Sequence, residues 1–242
     1  EGKLFAFDHD PDAQANALDD ERFVLIPENF RYISRFLRAY GIRKVDGILA
    51  DLGVSSHQFD QAERGFSTRF DGDLDMRMNQ KARVSAKEVV NEYEEERLAT
   101  ILFLYGELRN SRSIAKTIVQ ERSTQKIKTS LQLRTVLKRF LPKAKEHKIL
   151  AQIFQAIRIE VNEELEVLKD FLSQVPKLLN DEGRLSVISY HSLEDRLVKR
   201  FIRTGLFEGE PEKDVFGRSN EPLKKIGKLI IPSKEEIKLN NR

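Results

Sequence analysis

Three places in the sequence set a carboxylate, hydroxyl or imidazole at the C-terminal end of an apolar run. Open α/β sheets present groups to their ligands from such positions. Asp8 ends KLFAFD, Asp51 ends DGILAD, and His191 and Ser192 follow RLSVISY. A carboxylate can accept hydrogen bonds from two vicinal hydroxyls, which makes Asp8 a candidate ribose ligand. After Asp51, Gly53 lets the backbone turn, and Ser55, Ser56 and Gln58 bring donors and acceptors that could hold an adenine edge or a charged amino-acid moiety. His191 falls where a substrate would lie. Each reading has a structural alternative. Asp8 could cap a helix, although Asp10, followed by Pro11, is better placed to do so. Asp51 could cap a strand end, and Ser192-x-x-Asp195 could cap a following helix. Phe30 could pack on an adenine ring, yet its spacing to Ile33, Leu37 and Tyr40 reads as core.

Other chemistries are excluded. There is no cysteine, so disulfides, thiolate zinc sites and cysteine nucleophiles are ruled out. His9, His57, His147 and His191 form no HExxH or HxH pair, so spacing predicts no metal site. Asp71, Asp73 and Asp75 alternate as in a calcium loop, but Met76 and Ala82 stand where such a loop requires Gly and Glu. The segment Asp75-Met76-Arg77-Met78 reads instead as a rigid loop beside the site.

The scaffold must bring these strand ends together. Residues 3–8, 23–26, 45–50 and 184–190 read as strands, with a helix near 11–18 and another from Phe30 to a stop at Gly41. Strands alternating with helices predict right-handed βαβ units and a parallel sheet. After residue 84 the pattern turns helical. Ser85-x-x-Glu88, Asn91-x-x-Glu94 and Thr129-x-x-Gln132 are candidate helix starts, and Leu98, Ile101, Leu102, Tyr105, Ile114, Ile118, Leu133, Val136, Leu137 and Phe140 form inward stripes. A long helical pattern covers 149–179, and 181–183 reads as a turn. A further helix runs through Leu197, Phe201 and Ile202, an irregular stretch covers 205–224, and Leu229-Ile230-Ile231 reads as a last strand.

The 242 residues suffice for one large domain, or a domain with an insertion, and no apolar run approaches the ~20 residues of a membrane span. Charge is unevenly placed. Residues 109–148 hold twelve Lys and Arg against two acids, a net +10, so with +3 for the whole chain the remainder carries −7. A basic block on an otherwise acidic chain predicts a polyanionic partner, the alternative being a solvated helical face.

The stretches FDHDPDA, DGILADLGVSSHQFDQAERGFS, LDMRMN, FQAIRIEVNEEL and GRLSVISYHSLEDRLVKRF resemble the RsmH (MraW) family of ribosomal RNA methyltransferases over nearly the whole chain. The resemblance implies an α/β fold, a class I (Rossmann-like) S-adenosylmethionine-dependent methyltransferase sheet with an inserted all-helical domain. Residues 1–84 and 151–242 would be the two parts of the methyltransferase domain, and 85–150 the insertion that recognises RNA. It implies N4-methylation of a cytidine in the decoding centre of 16S ribosomal RNA, with S-adenosyl-L-methionine as cofactor. The expected partner is small-subunit ribosomal RNA or the assembled small subunit, the expected location cytoplasmic, with a homodimer as a further state and no membrane. By position, Asp8, Phe30, Asp51 and Gln58 match cofactor-contacting residues. Arg109, Arg112, Lys116, Lys126, Lys128, Arg134, Lys138 and Arg139 of the insertion are the expected RNA contacts. His57 departs from a proline common at its place, which bears on loop stiffness more than on chemistry.

The family's glycine-rich loop and GGH motif should precede Glu1, and a final strand should follow Arg242, so the sequence reads as truncated at both ends. The strand expected before Glu1 would be central to the sheet, and without it apolar edges should be exposed. No DPPY-type loop is present, so Asp51 with its loop, and His191 with Ser192, are the candidate catalytic groups. They would bind the protons of the cytosine amine and localise its lone pair. Two rival functions fit part of the pattern. Asp8 would serve NAD in a nicotinamide oxidoreductase, against which the basic block argues. A non-catalytic RNA-binding ribosome assembly factor could use the same fold.

Overall fold

The computed structural model of the chain describes residues 2–212, 216 and 221–239. It divides into two units, Glu1–Asp195 and Arg196–Arg242. In the first, β1 (Leu4–Phe7) runs parallel to β2 (Phe23–Ile26) with Phe5 opposite Val24. Between them Pro11 opens a 3-10 turn, Pro11–Asn16, shorter than the helix that spacing predicts over 11–18. β2 leads through a second 3-10 turn, Phe30–Tyr32, into α1 (Ile33–Ala39), and Gly41 ends the helical segment at φ 75°. β3 (Val45–Asp51) pairs in parallel with β4 (Leu179–Ile188). Four of the five expected strands thus form two parallel pairs in place of the single parallel sheet expected. No ladder joins the pairs among the described residues, and Leu4 and Leu49 stay exposed. The turn expected at 181–183 is an excursion inside β4. Glu182 takes φ 65°, and the register steps from Val45 opposite Leu179 to Gly47 opposite Arg184.

Between β3 and β4 lie α2 (Ser56–Asp60), α3 (Ala86–Glu92), α4 (Glu95–Leu104), α5 (Ser111–Thr124), α6 (Ser130–Val136), α7 (Glu146–Asn162) and α8 (Glu164–Leu178). α3 and α6 open with the capping boxes Ser85/Glu88 and Thr129/Gln132. Leu98, Leu102, Ile114, Ile118, Leu133, Leu137, Ile153 and Ile157 share one apolar core. That core takes in residues on both sides of 85–150, from Phe66, Leu74 and Met76 to Val161.

Three further expectations fail. Asn91 opens no helix. It lies inside α3, where its amide donates to the Ile127 carbonyl and accepts from the Ile127 N–H, and α4 starts after Glu94. The pattern over 149–179 is two helices, because Glu163 adopts φ 51° between α7 and α8. Apolar spacing continues through that break, so periodicity does not show it. Leu229, Ile230 and Ile231 form no strand. All three are exposed and lack a ladder partner among the described residues, and an extended run without a ladder leaves its backbone groups to solvent.

α9 (Ser192–Thr204) crosses the boundary between the units. Within Arg196–Arg242, Phe201 stacks on Phe207 with centroids 4.9 Å apart, Gly205 turns at φ 70°, and α10 (Lys234–Leu239) follows. Part of the stretch expected to be irregular, 213–215 and 217–220, lies outside the described residues.

Candidate active site

The parallel pairing of β3 and β4 sets Asp51 opposite Ile188, so both strands end together. Asp51 is exposed, and its Oδ1 accepts the Tyr190 hydroxyl at 3.0 Å. Gly53 (φ 85°) lies under the Tyr190 ring, where a Cβ would approach Cδ2 to 3.4 Å. Burial, and then the Asp51 carboxylate, raise the Tyr190 phenol above its ordinary value. Two residues on, the Ser192 hydroxyl donates to Glu107 Oε2 at 2.9 Å. The strand ends therefore bring Asp51, Tyr190, His191 and Ser192 to one edge.

His191 caps α9 in place of Ser192. Its Nδ1 accepts from the Glu194 N–H at 3.4 Å, and Glu194 Oε2 accepts from the N–H groups of His191 (3.3 Å) and Tyr190 (2.9 Å). This reciprocal pair sits one residue before the expected Ser192/Asp195 pair. With Nδ1 accepting, the ring proton belongs on Nε2, which lies 3.3 Å from Glu194 Oε1 without an aligned hydrogen bond. Glu194 is buried. Burial pushes its carboxyl up, but the adjacent His191 imidazole, the Tyr190 N–H and the Arg158 charge outweigh this and hold it below the ordinary value. Arg158 makes a two-armed ion pair with Glu164 at 2.8 and 2.9 Å. The potential ligand atoms of Glu164, His191 and Glu194 lie within 4.8 Å of one another. Arg158 already brings the cation to this cluster, which makes it an ion network rather than a vacant metal cage.

At the end of β1, Asp8 is exposed, and its Oδ1 accepts from the Asp10 N–H at 2.8 Å. Among the described residues no donor reaches its other oxygen, which can accept from a ligand. Asp10 is buried and saturated, taking hydrogen bonds from Gln58 Nε2, the Asp12 N–H and both terminal nitrogens of Arg64. Burial pushes the Asp10 carboxyl up, but the hydrogen bonds of Arg64 and Gln58 win and hold it below the ordinary value. Arg64 also donates to the carbonyls of Arg77 and Met78, tying the DMRM loop to this corner. Gln58 is drawn to Asp8 through Asp10. The rest of its amide closes the Ser55 capping box of α2, so the protein already holds both ends of this side chain. Phe30 packs edge-on against Phe171 of α8, with centroids 5.3 Å apart. Sequence reasoning missed Arg64, Glu107, Tyr190 and Glu194. The ERGF and YHSLE segments that contain three of them stand inside the quoted motifs, and Glu107 carried no signal.

The basic block lies on α5, α6 and their flanks. Arg109, Arg112, Lys116, Lys126, Lys128 and Lys138 are exposed, with no ion partner among the described residues. Arg134 instead pairs with Glu146 at 2.6 Å, and Arg139 bonds the Thr117 hydroxyl and lies 4.7 Å over the Phe140 ring. Arg122 donates to the carbonyls of Val90 and Tyr93, a structural role.

A model of the MraW methylase family matches residues 1–242. The chain belongs to that family. Among its relatives in the MraW family, a protein of Flavobacterium psychrophilum is 66% identical over 242 residues, covering 100% of this chain and 83% of the relative. One of Flavobacterium johnsoniae is 65% identical over 241 residues, and one of Christiangramia forsetii 64% identical over 242, each match covering 100% of this chain and 80% of the relative. All three carry the name ribosomal RNA small subunit methyltransferase H. No helix of this MraW methylase is long and apolar enough to cross a membrane, among the described residues.

Proposed function

We propose that the chain transfers a methyl group from S-adenosyl-L-methionine to the exocyclic N4 of a cytidine in the decoding centre of 16S ribosomal RNA. It would act in the cytoplasm on small-subunit RNA or the assembled subunit. Membership of a methylase family and the names of the relatives support the reaction class. The observation that carries the choice of residues is the edge where β3 and β4 end, with the exposed Asp51 carboxylate and the Ser192 hydroxyl joined through Tyr190 and His191. The cofactor supplies an electrophilic methyl carbon on a sulfonium. Asp8 would hold its ribose. In this reading the sheet is of class I type, and residues 85–150 form its RNA-recognising insertion.

A cytosine amine is a weak nucleophile because its lone pair is delocalised into the ring. Acceptors placed on its N–H groups localise that pair. Asp51 Oδ2 and Ser192 Oγ are such acceptors, and Asp51 can take the proton that the nitrogen sheds once its new bond to carbon has formed. The base must leave its stack to reach this edge. The unpaired cations from Arg109 to Lys138 would hold the phosphates around it.

The test is single-turnover transfer of labelled methyl to undermethylated small subunits, using the full chain and the variants Asp51→Ala, His191→Ala and Ser192→Ala. Label should appear on one cytidine amine, and Asp51→Ala should lose about 10²-fold or more. Full activity in all three variants would remove these residues from the mechanism. Salt-sensitive subunit binding without any transfer would point to an assembly factor.

A further inference from the structure

The turn between α4 and α5 is tightly constrained. Gly106 has no room for a side chain, since a Cβ there would lie 2.7 Å from the Leu102 carbonyl oxygen and 3.0 Å from that of Gln152. Gln152 and Gln155 on α7 donate to the carbonyls of Gly106 (3.0 Å) and Tyr105 (2.9 Å). The next residue, Glu107, is held at φ 54°, a conformation that L side chains rarely adopt. From there its carboxylate accepts the Ser192 hydroxyl at 2.9 Å, across 85 positions of sequence. An uncommon backbone state that is over-determined by its surroundings is a reason to look for function at the contact it makes.

The direction of this hydrogen bond has a chemical consequence. A serine hydroxyl has one proton and two lone pairs, and an ionised carboxylate can only accept. The Ser192 proton is therefore committed to Glu107, and only lone pairs remain for another partner. The charge-assisted bond also enriches Oγ in electron density. Such an oxygen matches a base edge that donates, the N4 amine of cytosine, and mismatches one that accepts, the O4 of uracil. Resting on the reaction proposed above, we infer that Glu107 is a specificity-determining positioning residue. It fixes Ser192 as an acceptor and so selects a base with an exocyclic amine over one with a carbonyl.

The test compares subunits carrying cytidine or uridine at the target position, the second serving as competitive inhibitors of methyl transfer to the first. The wild-type full chain should bind uridine subunits more weakly than cytidine subunits. E107Q keeps the size of the side chain but can turn its amide NH2 toward Ser192, which frees the hydroxyl proton to donate. It should lower the discrimination ratio by about tenfold, the weight of one hydrogen bond, while leaving the salt dependence of subunit binding unchanged. S192A should lose the same discrimination from the other side, and E107Q/S192A should lose no more than S192A alone. A ratio unchanged in E107Q, with turnover reduced, would leave Glu107 a structural role only. Wild-type transfer to cytidine without discrimination in binding would overturn the inference and leave the methyltransferase reading standing. No transfer at all would overturn both.

Discussion

Two polar corners of the molecule come from equally suggestive motifs, and they differ in what their side chains have left to offer. At the end of β1 the Asp10 carboxylate is buried, and Arg64, Gln58 and the Asp12 N–H occupy it, while the Nη2 of Arg64 that bonds Asp10 also donates to the carbonyls of Arg77 and Met78. Where β3 and β4 end, Asp51 is exposed and holds one hydroxyl, that of Tyr190. A buried, densely bonded cluster specifies how three loops meet, and its carboxylate cannot serve a ligand without leaving a buried partner unsatisfied. An exposed, half-used carboxylate beside an aromatic ring can serve one. Asp8 belongs with the second kind although it sits beside the first, since among the described residues no donor reaches one of its oxygens.

The comparison breaks most sharply under paired substitution. Arg64→Ala removes the cation from a corner where both side chains of the ion pair are about 7% exposed or less. It should cost roughly 3–5 kcal/mol of unfolding free energy, the usual result of stranding a buried charge. Asp51→Ala should stay within about 0.5 kcal/mol of wild type while methyl transfer collapses. Denaturant unfolding of the two variants beside single-turnover assays would check this. A large loss of stability in Asp51→Ala would make the two corners alike.

Much of the first unit was legible in the sequence. The four parallel strands, the capping boxes at Ser85 and Thr129 and the stripes of the helical core follow from local rules, and the structure obeys them. The misses are where a single residue chooses a long-range partner. Asn91 looks like a cap but clamps the backbone of Ile127, and Glu163 breaks a helical run whose apolar spacing never falters. At the candidate site, Asp51, His191 and Ser192 could be singled out because a strand end announces them. Glu107 was not, because its contact with Ser192 joins residues 85 positions apart. The cap at Asp10 was readable from the Pro11 that follows it, but the bond that Arg64 makes to it was not.

Acid should sharpen the contrast at a smaller scale. Asp10 and Glu194 are the buried carboxylates of the two corners, and both are held below their ordinary values. A carboxyl lowered in the folded state contributes its full stability above the unfolded value, about 3.9 for Asp and 4.3 for Glu. That contribution is lost as pH falls through the lower folded value. Asp10→Asn and Glu194→Gln should each flatten part of the fall in stability below about pH 4, measured by urea unfolding from pH 5 to 2.5. Unchanged slopes would mean that neither carboxylate is held by its partners as the hydrogen bonds imply.

The smallest effect tests the same distinction, open against engaged, on the basic surface. Lys116 is exposed and unpaired, whereas Arg134 is paired with Glu146 at 2.6 Å. An unpaired cation that meets a phosphate releases a counterion when RNA binds, so Lys116→Ala should reduce the slope of log K against log salt by about 0.7–0.9. Arg134 must first give up Glu146, an exposed pair worth about 0–1 kcal/mol, and its removal should change the slope less. Both variants should fold as wild type does, within about 0.5 kcal/mol. Equal slope changes would show that RNA takes Arg134 from Glu146 at little cost. In that case the pairing seen without RNA would not sort these cations, and the whole face, rather than its unpaired members, would be the binding surface.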